Sequence, residues 1–187
     1  MTENKLSMID FPDNNYTLKQ RAIRNAYTLE NSSGDVLLKS KQKMFKMKEE
    51  FPFVDSNENE VFSIKAQNLM DIAGDYAVVD ADGEELAVLT KDFTLLTHVW
   101  RIKDSEGKEL AVIRSRGKFF GLLRSFIGLM EFFPHRYSIE DSEGDEIGEI
   151  KGKFSIRDRY KISLNENLEQ KGLILAAAVA VDALEGN

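Results

Sequence analysis

The alternation of apolar and polar positions divides most of the chain into short strand-like segments. Residues 76–89 form an alternating run, a turn that contains Asp and Gly, and a second alternating run. The same frame fits 99–113 and 137–150, a looser copy fits 27–37, and a degenerate copy fits 53–64. Because period-2 alternation on both sides of a short turn is typical of a β-hairpin, the pattern predicts five hairpins.

Each turn begins with Asp or Asn and carries Gly three residues later, except in the second unit, where Glu58 replaces Gly. The first side chain can accept a bond from its own backbone two residues on, and Gly adopts positive φ at no steric cost. Glu58 therefore predicts a wider or a strained turn. Turn positions 34, 58, 83 and 107 follow a regular period, and 144 comes after one insertion, as expected of a repeat architecture.

The strand count predicts a closed barrel. Five hairpins contribute ten strands, and residues 16–23 and 160–164 add one strand at each end, which makes about twelve. Closure of an antiparallel sheet removes its exposed edges. A barrel of more than eight strands leaves an interior that its own side chains do not fill.

The segment 173–181, LILAAAVAV, is the only long run without a polar position. A membrane span needs about 20 apolar residues, whereas this run has nine, between Lys171 and Asp182. A helix that is apolar on every face must be enclosed, here by protein. The sequence therefore predicts a central helix inside the barrel; the alternative, a sandwich with the helix laid outside, would require one polar helix face.

The flanking residues predict that this helix covers 168–184, about 25 Å at 1.5 Å per residue. Asn167 is a candidate N-cap, with Gln170 completing a capping box, and Gly186 stands where helices commonly stop. Alanines at 176, 177, 178 and 180 keep the helix slim. Asp182 is expected to pair with a cation at the barrel mouth, because an unpaired buried carboxylate is costly.

Length and composition indicate one domain over 1–187, with 1–14 as a flexible or loosely packed N-terminal segment. The absence of Cys excludes disulfide scaffolds and thiolate metal sites. The net charge of −7 argues against nucleic acid as a partner. No secretory signal opens the chain, so we expect a cytoplasmic protein that is not an integral membrane protein.

No catalytic pattern stands out. Neither His98 nor His135 lies in a metal-binding spacing, and no nucleophile elbow, phosphate loop or dinucleotide-binding glycine pattern is present. Carboxylates occur mainly in the turns, where they have a structural role. We expect no catalytic residues, no metal and no cofactor.

Two basic clusters are the candidate contacts with an anionic ligand. The second cluster opens the insertion, 116–133, which mixes cations with aromatic residues. If it faces solvent, this segment suits an anionic membrane surface or an apolar partner; the interpretation that we favour is that its apolar side joins the barrel core. The candidate contact residues are Lys39, Lys41, Lys43, Arg114, Arg116, Lys118, Phe119, Phe120 and Arg124.

The repeated hairpins, followed by the terminal segment LILAAAVAVDAL, resemble the LURP-one-related family, which is grouped with tubby C-terminal-like and phospholipid scramblase-like proteins. The resemblance implies a closed twelve-stranded barrel around a hydrophobic helix. It also implies an association with lipid, because tubby proteins bind phosphoinositides through basic residues on the barrel and scramblase-like members associate with membranes. No tubby basic motif matches this chain residue by residue.

Taken together, the sequence favours a non-catalytic binding module, with an anionic phospholipid or a membrane surface as the candidate ligand and peripheral membrane attachment as its location. A protein–protein interaction or structural scaffold role is the alternative. An enzyme is the third and least favoured hypothesis.

Overall fold

The structure is a closed antiparallel β-barrel around one C-terminal helix. The computed structural model describes residues 11–21, 26–40, 50–67, 75–93, 98–116, 136–153, 159–166, 168 and 170–185. Its elements are β1 (Asn15–Arg21), β2 (Ala26–Glu30), β3 (Val36–Ser40), β4 (Phe51–Val54), β5 (Glu60–Ala66), β6 (Tyr76–Asp80), β7 (Glu85–Phe93), β8 (His98–Asp104), β9 (Glu109–Ser115), β10 (Arg136–Glu140), β11 (Glu146–Lys153), β12 (Arg159–Leu164) and α1 (Lys171–Glu185).

Each strand pairs with its neighbours along the chain, and β1 closes the barrel against β12. The predicted fold class, a barrel of about twelve strands with a central helix, is confirmed. The five tight turns all lie at one end of the barrel, which we call the turn end. The opposite end is the linker end. The insertion after Arg116 joins two strands that are direct neighbours, because the Arg116 N–H donates to the Arg136 carbonyl (2.7 Å).

The five turns share one hydrogen-bond pattern. In the third, the Gly83 N–H donates to the Asp80 carbonyl at 3.1 Å, and the Asp80 N–H donates to the Glu84 carbonyl at 2.9 Å. The Asp80 carboxylate also accepts from the backbone two residues on, as predicted, and so do Asp55, Asp104 and Asp141. In all five turns the same side chain also accepts from the N–H four residues on, and in the first turn this bond, from the Asp35 N–H to Asn31 Oδ1, stands without the bond two residues on.

The turn that carries Glu58 is not wider than the others. The Glu58 N–H donates to the Asp55 carbonyl, and the Asp55 N–H donates to the Asn59 carbonyl. The other four turns have the same two backbone bonds. Glu58 reaches this geometry with a φ of 66°, in the left-handed region where the other four turns have Gly. Of the two predicted alternatives, the wider turn is therefore wrong, and the strained turn is confirmed by the left-handed backbone of Glu58.

We expect Glu58→Gly to raise stability by about 0.5–1 kcal/mol, because relief of the left-handed strain outweighs the greater freedom of Gly in the unfolded chain. The exposed ion pair between Glu58 and Lys39 (3.7 Å) contributes little against this. Thermal unfolding should show a midpoint higher by about 2 °C. The reverse change at the matched position, Gly83→Glu, should lower the midpoint, and equal midpoints in both variants would contradict the strain argument.

Each hairpin also contains one extra residue in its second strand, three positions after the left-handed turn residue. The register shifts by one residue in all five hairpins. This bulge is separate from the turn, because a regularly paired position, such as Glu140 opposite Glu146, lies between the two. The bulged residue is aliphatic every time, and each one is buried in the core or packed against it. These residues are Leu37, Val61, Leu86, Leu110 and Ile147.

An aromatic side chain recurs in the first strand of each hairpin, four positions before the turn Asp or Asn. All five belong to the hydrophobic core or pack against it, so they face the barrel interior. They are Tyr27, Phe51, Tyr76, Trp100 and Tyr137. Burial raises the pKa of the Tyr76 phenol. Large side chains from the wall leave room for a slim helix only, which explains the alanines of α1.

The helix fills the barrel as predicted. Residues from Leu175 to Ala180 have no solvent exposure, and Val181 keeps 1%. The helix begins at Lys171 rather than at Leu168, so the predicted start was wrong. Gln170 has a φ of 56°, which a right-handed helix cannot include, and its carbonyl accepts the first helical bonds from Leu173 and Ile174. Asn167, Gly186 and the Asp182 side chain lie outside what the structure describes.

Residues 11–14 tie the chain start to the turn end. The Asp13 carboxylate accepts from the Ser32 hydroxyl and N–H, at 2.5 and 2.8 Å, and these bonds lower its pKa. Lys171 donates to the Asp13 carbonyl (3.1 Å) and to Asn14 Oδ1 (3.2 Å). The start of the helix is thereby joined to the barrel rim. The flexibility expected of 1–14 stays a prediction, since residues 1–10 lie outside the described ranges.

Candidate anion-binding surface

Three of the predicted contact residues are described, and all three lie on the outer face of the barrel with a carboxylate nearby. Lys39 Nζ, on β3, lies 3.7 Å from Glu58 Oε1. Arg114 Nε, on β9, lies 3.4 Å from Glu140 Oε2. Arg116 forms an ion pair with Glu146. The solvent-exposed fractions of the Lys39, Arg114 and Arg116 side chains are 39%, 44% and 45%. The other predicted contacts, Lys41, Lys43, Lys118, Phe119, Phe120 and Arg124, lie outside the described residues.

Barrel closure places the two predicted clusters at the ends of one arc. From β9 the wall continues through β10, β11, β12, β1 and β2 to β3, because β1 pairs with both β12 and β2. In the sequence, Arg116 and Lys39 are far apart and share no segment. We call the outer face of these seven strands the cationic arc.

A row of cations crosses the arc. Arg136 lies opposite Lys151, and Lys151 lies opposite Lys161 on the next strand. Arg116 extends the row at one end through its backbone bond to Arg136. Arg136, Lys151 and Lys161 are exposed. Directly opposite side chains on one face of a sheet are about 5 Å apart at Cβ. We call these four residues the cation row.

A second pair of cations lies one step closer to the linker end. Arg159 on β12 is opposite Lys19 on β1, and Lys19 is opposite Thr28 on β2. Thr28 in turn faces Lys39 on β3. The positions between the two predicted clusters are therefore occupied by five further cations, at 19, 136, 151, 159 and 161, that the sequence analysis missed.

Carboxylates compensate only part of this charge. Lys151 forms an ion pair with Glu149, and Lys19 Nζ lies 2.5 Å from Glu30 Oε2. Within the described ranges, no carboxylate lies at ion-pair distance from Arg136, Arg159 or Lys161. Ion pairs between exposed side chains are weak and are screened by salt. Anions from solution can therefore compete for the whole row.

Opposed like charges in the arc are unfavourable for folding. Directly opposite like charges destabilise a sheet, typically by a few tenths of a kcal/mol per pair. Three such pairs occur among the arc residues whose side chains the structure describes: Arg136 with Lys151, Lys151 with Lys161, and Arg159 with Lys19. An anion that bound among them would relieve this repulsion. The arc is therefore the strongest candidate for a binding surface.

Arg101 illustrates the opposite arrangement, on the wall outside the arc. Its guanidinium donates to Glu109 at 2.8 Å and to Asp92 at 2.9 Å. These two hydrogen bonds, with the charges of both carboxylates, raise the pKa of Arg101. A cation between two carboxylates belongs to a group with a net negative charge, which does not favour an anionic ligand. In the arc, by contrast, Arg114 and Arg116 each have one carboxylate partner, and Arg136 and Arg159 have none among the described residues.

Charge is also segregated along the barrel axis. The five turns carry many carboxylates, among them Asp82, Glu106 and Glu143, which are exposed. Lys108 is the single basic residue within the turns 31–35, 55–59, 81–84, 105–108 and 141–145. The net charge of −7 therefore hides a basic face, because the acidic residues concentrate at the turn end.

The sequence does carry a signal for the missed cations. Lys151 and Lys153 are two residues apart, as are Arg159 and Lys161, and a period of two places residues on one face of a strand. Each pair alone is typical of an ordinary solvent-exposed strand face. Only the register of β10, β11, β12 and β1 indicates that they form one surface.

The buried polar side chains of the described residues serve local structure. The three buried polar side chains have local partners: Ser63 and Ser138 donate to Glu60 and Glu140, and Asp80 holds its own turn. No group of three potential metal ligands occurs in the part of the chain that the structure describes. His98 is exposed at the start of β8, and His135 lies outside the described ranges. None of the described helices combines the length and hydropathy of a membrane span.

Comparison with protein-family models matches residues 36–182 to the LURP-one-related family. Among solved structures, the chain is similar to the X-ray structure of an Arabidopsis thaliana protein, with a TM-score of 0.57 and 10% identity. The alignment covers 91% of this chain and 91% of the plant protein. At this identity the likeness concerns the fold alone. No curated protein matches the chain significantly.

Proposed function

The chain belongs to the LURP-one-related family, and on this premise we propose that it is a non-catalytic binding module whose cationic arc contacts anionic phospholipid at a membrane surface. The observation that carries the proposal is the run of cations from β9 to β3, three of which lack a described carboxylate partner. In this proposal the protein is cytoplasmic and attaches peripherally to the membrane.

The physical basis is the attraction between basic side chains and an anionic leaflet. Each Lys or Arg near such a surface contributes about 1 kcal/mol at physiological ionic strength. Arg136 lies on β10, and Lys161 and Arg159 lie on β12; both strands pair with β11, so these three exposed residues occupy one part of the wall and can approach a membrane surface together. The acidic turns at the other end of the barrel favour an orientation that directs them away from the lipid.

Vesicle flotation tests the proposal. Wild-type protein should float with vesicles of phosphatidylserine and phosphatidylcholine and not with phosphatidylcholine alone. The variant Arg136→Gln/Lys161→Gln should bind about thirtyfold more weakly, because two cations at about 1 kcal/mol each are lost. Binding should also weaken as salt is raised.

A matched control removes two cations from outside the arc. Lys65 lies on β5 and Lys108 in the fourth turn, so Lys65→Gln/Lys108→Gln changes the net charge equally. It should float like the wild type. Absence of wild-type flotation, or an equal loss in both double variants, would refute the membrane proposal.

The predicted contacts of the insertion receive their own test. The variant Arg116→Glu/Lys118→Glu/Arg124→Glu reverses three charges at the start of this segment. If the insertion adds to membrane contact, this variant should lose binding beyond the loss caused by Arg116→Glu alone. Equal binding of the single and triple variants would restrict the contact to the barrel wall.

A further inference from the structure

We infer that the cation row binds a flexible, linear chain of phosphates laid across the strands. The row consists of Arg116, Arg136, Lys151 and Lys161, one cation on each of four successive strand positions. This inference uses the same arc as the proposed function but does not require a membrane, and it identifies the ligand by its phosphate chemistry and its shape.

The curvature of the wall favours a flexible ligand. Twelve strands complete the barrel, so the positions of neighbouring strands are offset by about 30° around the barrel axis. The four cations of the row therefore spread over about a quarter of the circumference. A flat surface can touch only part of such an arc, whereas a flexible chain can follow it and meet every cation.

The spacing of the row favours phosphate over an acidic peptide. Neighbouring strands are about 4.8 Å apart, whereas side chains on one face of an extended peptide repeat about every 6.8 Å. A phosphate chain carries charge on every unit, so it can match whatever separation the charged groups adopt on the curved wall, whereas an acidic peptide offers charge only at its own fixed repeat. Arg116 and Arg136 can each bind phosphate through two parallel hydrogen bonds, and Lys151 and Lys161 act as point charges.

Single-stranded nucleic acid fits the arc less well. Proteins that bind it combine cations with aromatic side chains on which the bases stack. Every strand aromatic whose side chain the structure describes belongs to the core or packs against it, so none is offered on the arc. As far as the structure describes the arc, it presents charge without aromatic side chains for stacking, which suits a phosphate chain that has no bases.

Binding of inorganic phosphates of increasing length tests the inference. Calorimetry should detect no binding of orthophosphate, weak binding of tripolyphosphate, and binding by long-chain polyphosphate at least tenfold tighter, since the longer chain reaches more of the row. The variant Arg136→Gln/Lys161→Gln should weaken long-chain binding at least tenfold. It should also reduce the slope of log affinity against log salt by about two, one for each cation removed.

The matched control Lys65→Gln/Lys108→Gln should bind polyphosphate within twofold of the wild type. Since Arg136→Gln/Lys161→Gln removes opposed like charges, it should unfold at the same temperature as the wild type or higher, and this measurement guards against loss by misfolding. Equal binding by both double variants, or no dependence on chain length, would overturn the inference. So would equal affinity for polyglutamate or for a single-stranded oligonucleotide.

Parallel flotation with phosphatidylserine vesicles separates this inference from the proposed function. Polyphosphate binding without flotation would support the phosphate chain and refute membrane attachment. Flotation without polyphosphate binding would do the reverse. If both occur, long-chain polyphosphate should displace the protein from vesicles, because both ligands need Arg136 and Lys161; simultaneous binding would place the polyphosphate elsewhere and overturn the inference.

Discussion

Ala177→Asp is expected to prevent folding. Ala177 has no solvent exposure and lies in α1 at the centre of the barrel, where the neighbouring helix residues Ala176 and Ala178 are equally buried. A carboxylate there loses its hydration without a partner, at a cost of several kcal/mol, and its protonation would still leave a polar group in an apolar core. Domains of this kind are stable by only about 5–15 kcal/mol.

Soluble expression and circular dichroism measure this effect. Ala177→Gly is the control, because it reduces helix propensity by about 1 kcal/mol without burying charge. The Gly variant should fold and melt a few degrees below the wild type, whereas the Asp variant should be insoluble or lack the sheet signal. A soluble Ala177→Asp protein with a normal melting curve would mean that the helix is not enclosed.

Gly148→Ala should be the most damaging single-methyl change in the wall. A Cβ at this position would lie 2.5 Å from the Ser163 carbonyl oxygen and 2.7 Å from Leu164 Cδ2. Ser163 and Leu164 belong to β12, which pairs with β11 at this point. Overpacking of this kind costs about 3 kcal/mol, which lowers the melting temperature of a domain this size by about 10 °C.

A double variant distinguishes the two contacts. Leu164→Val removes the Cδ atoms and by itself costs roughly 1 kcal/mol. In that background Gly148→Ala should still lose more than about 1 kcal/mol, because a backbone carbonyl cannot move aside as a side chain can. If the cost of Gly148→Ala disappears there, the Leu164 side chain is the obstacle and the strands are not held as closely as the register indicates.

Much of the fold was predictable because its determinants are local. Asp80 and Gly83 form their turn with neighbours in the sequence, and the same chemistry recurs in four other turns. The burial of α1 follows from the absence of any polar position between Leu173 and Val181. The helix start was not predictable in this way, because the left-handed Gln170 depends on how the link from β12 reaches the barrel interior.

The candidate surface was predictable only in part. Lys39, Arg114 and Arg116 were identified from clustering along the chain, and all three lie on the arc. Arg136, which follows the insertion, was not predicted, since a single cation has no cluster around it. Its importance comes from Lys151, which lies opposite it on the next strand.

Local sequence features were sufficient to predict the hairpins, the strand number and the enclosed helix, because turn chemistry, period-2 alternation and uniform hydrophobicity act over a few residues. Alternation also decided which side chains face outward. Which of them are neighbours depends on the fold: Lys19 and Arg159 are brought together by the pairing of β1 with β12. Cross-strand register depends on closure of the whole sheet, and a surface assembled in that way has no counterpart in the order of the chain.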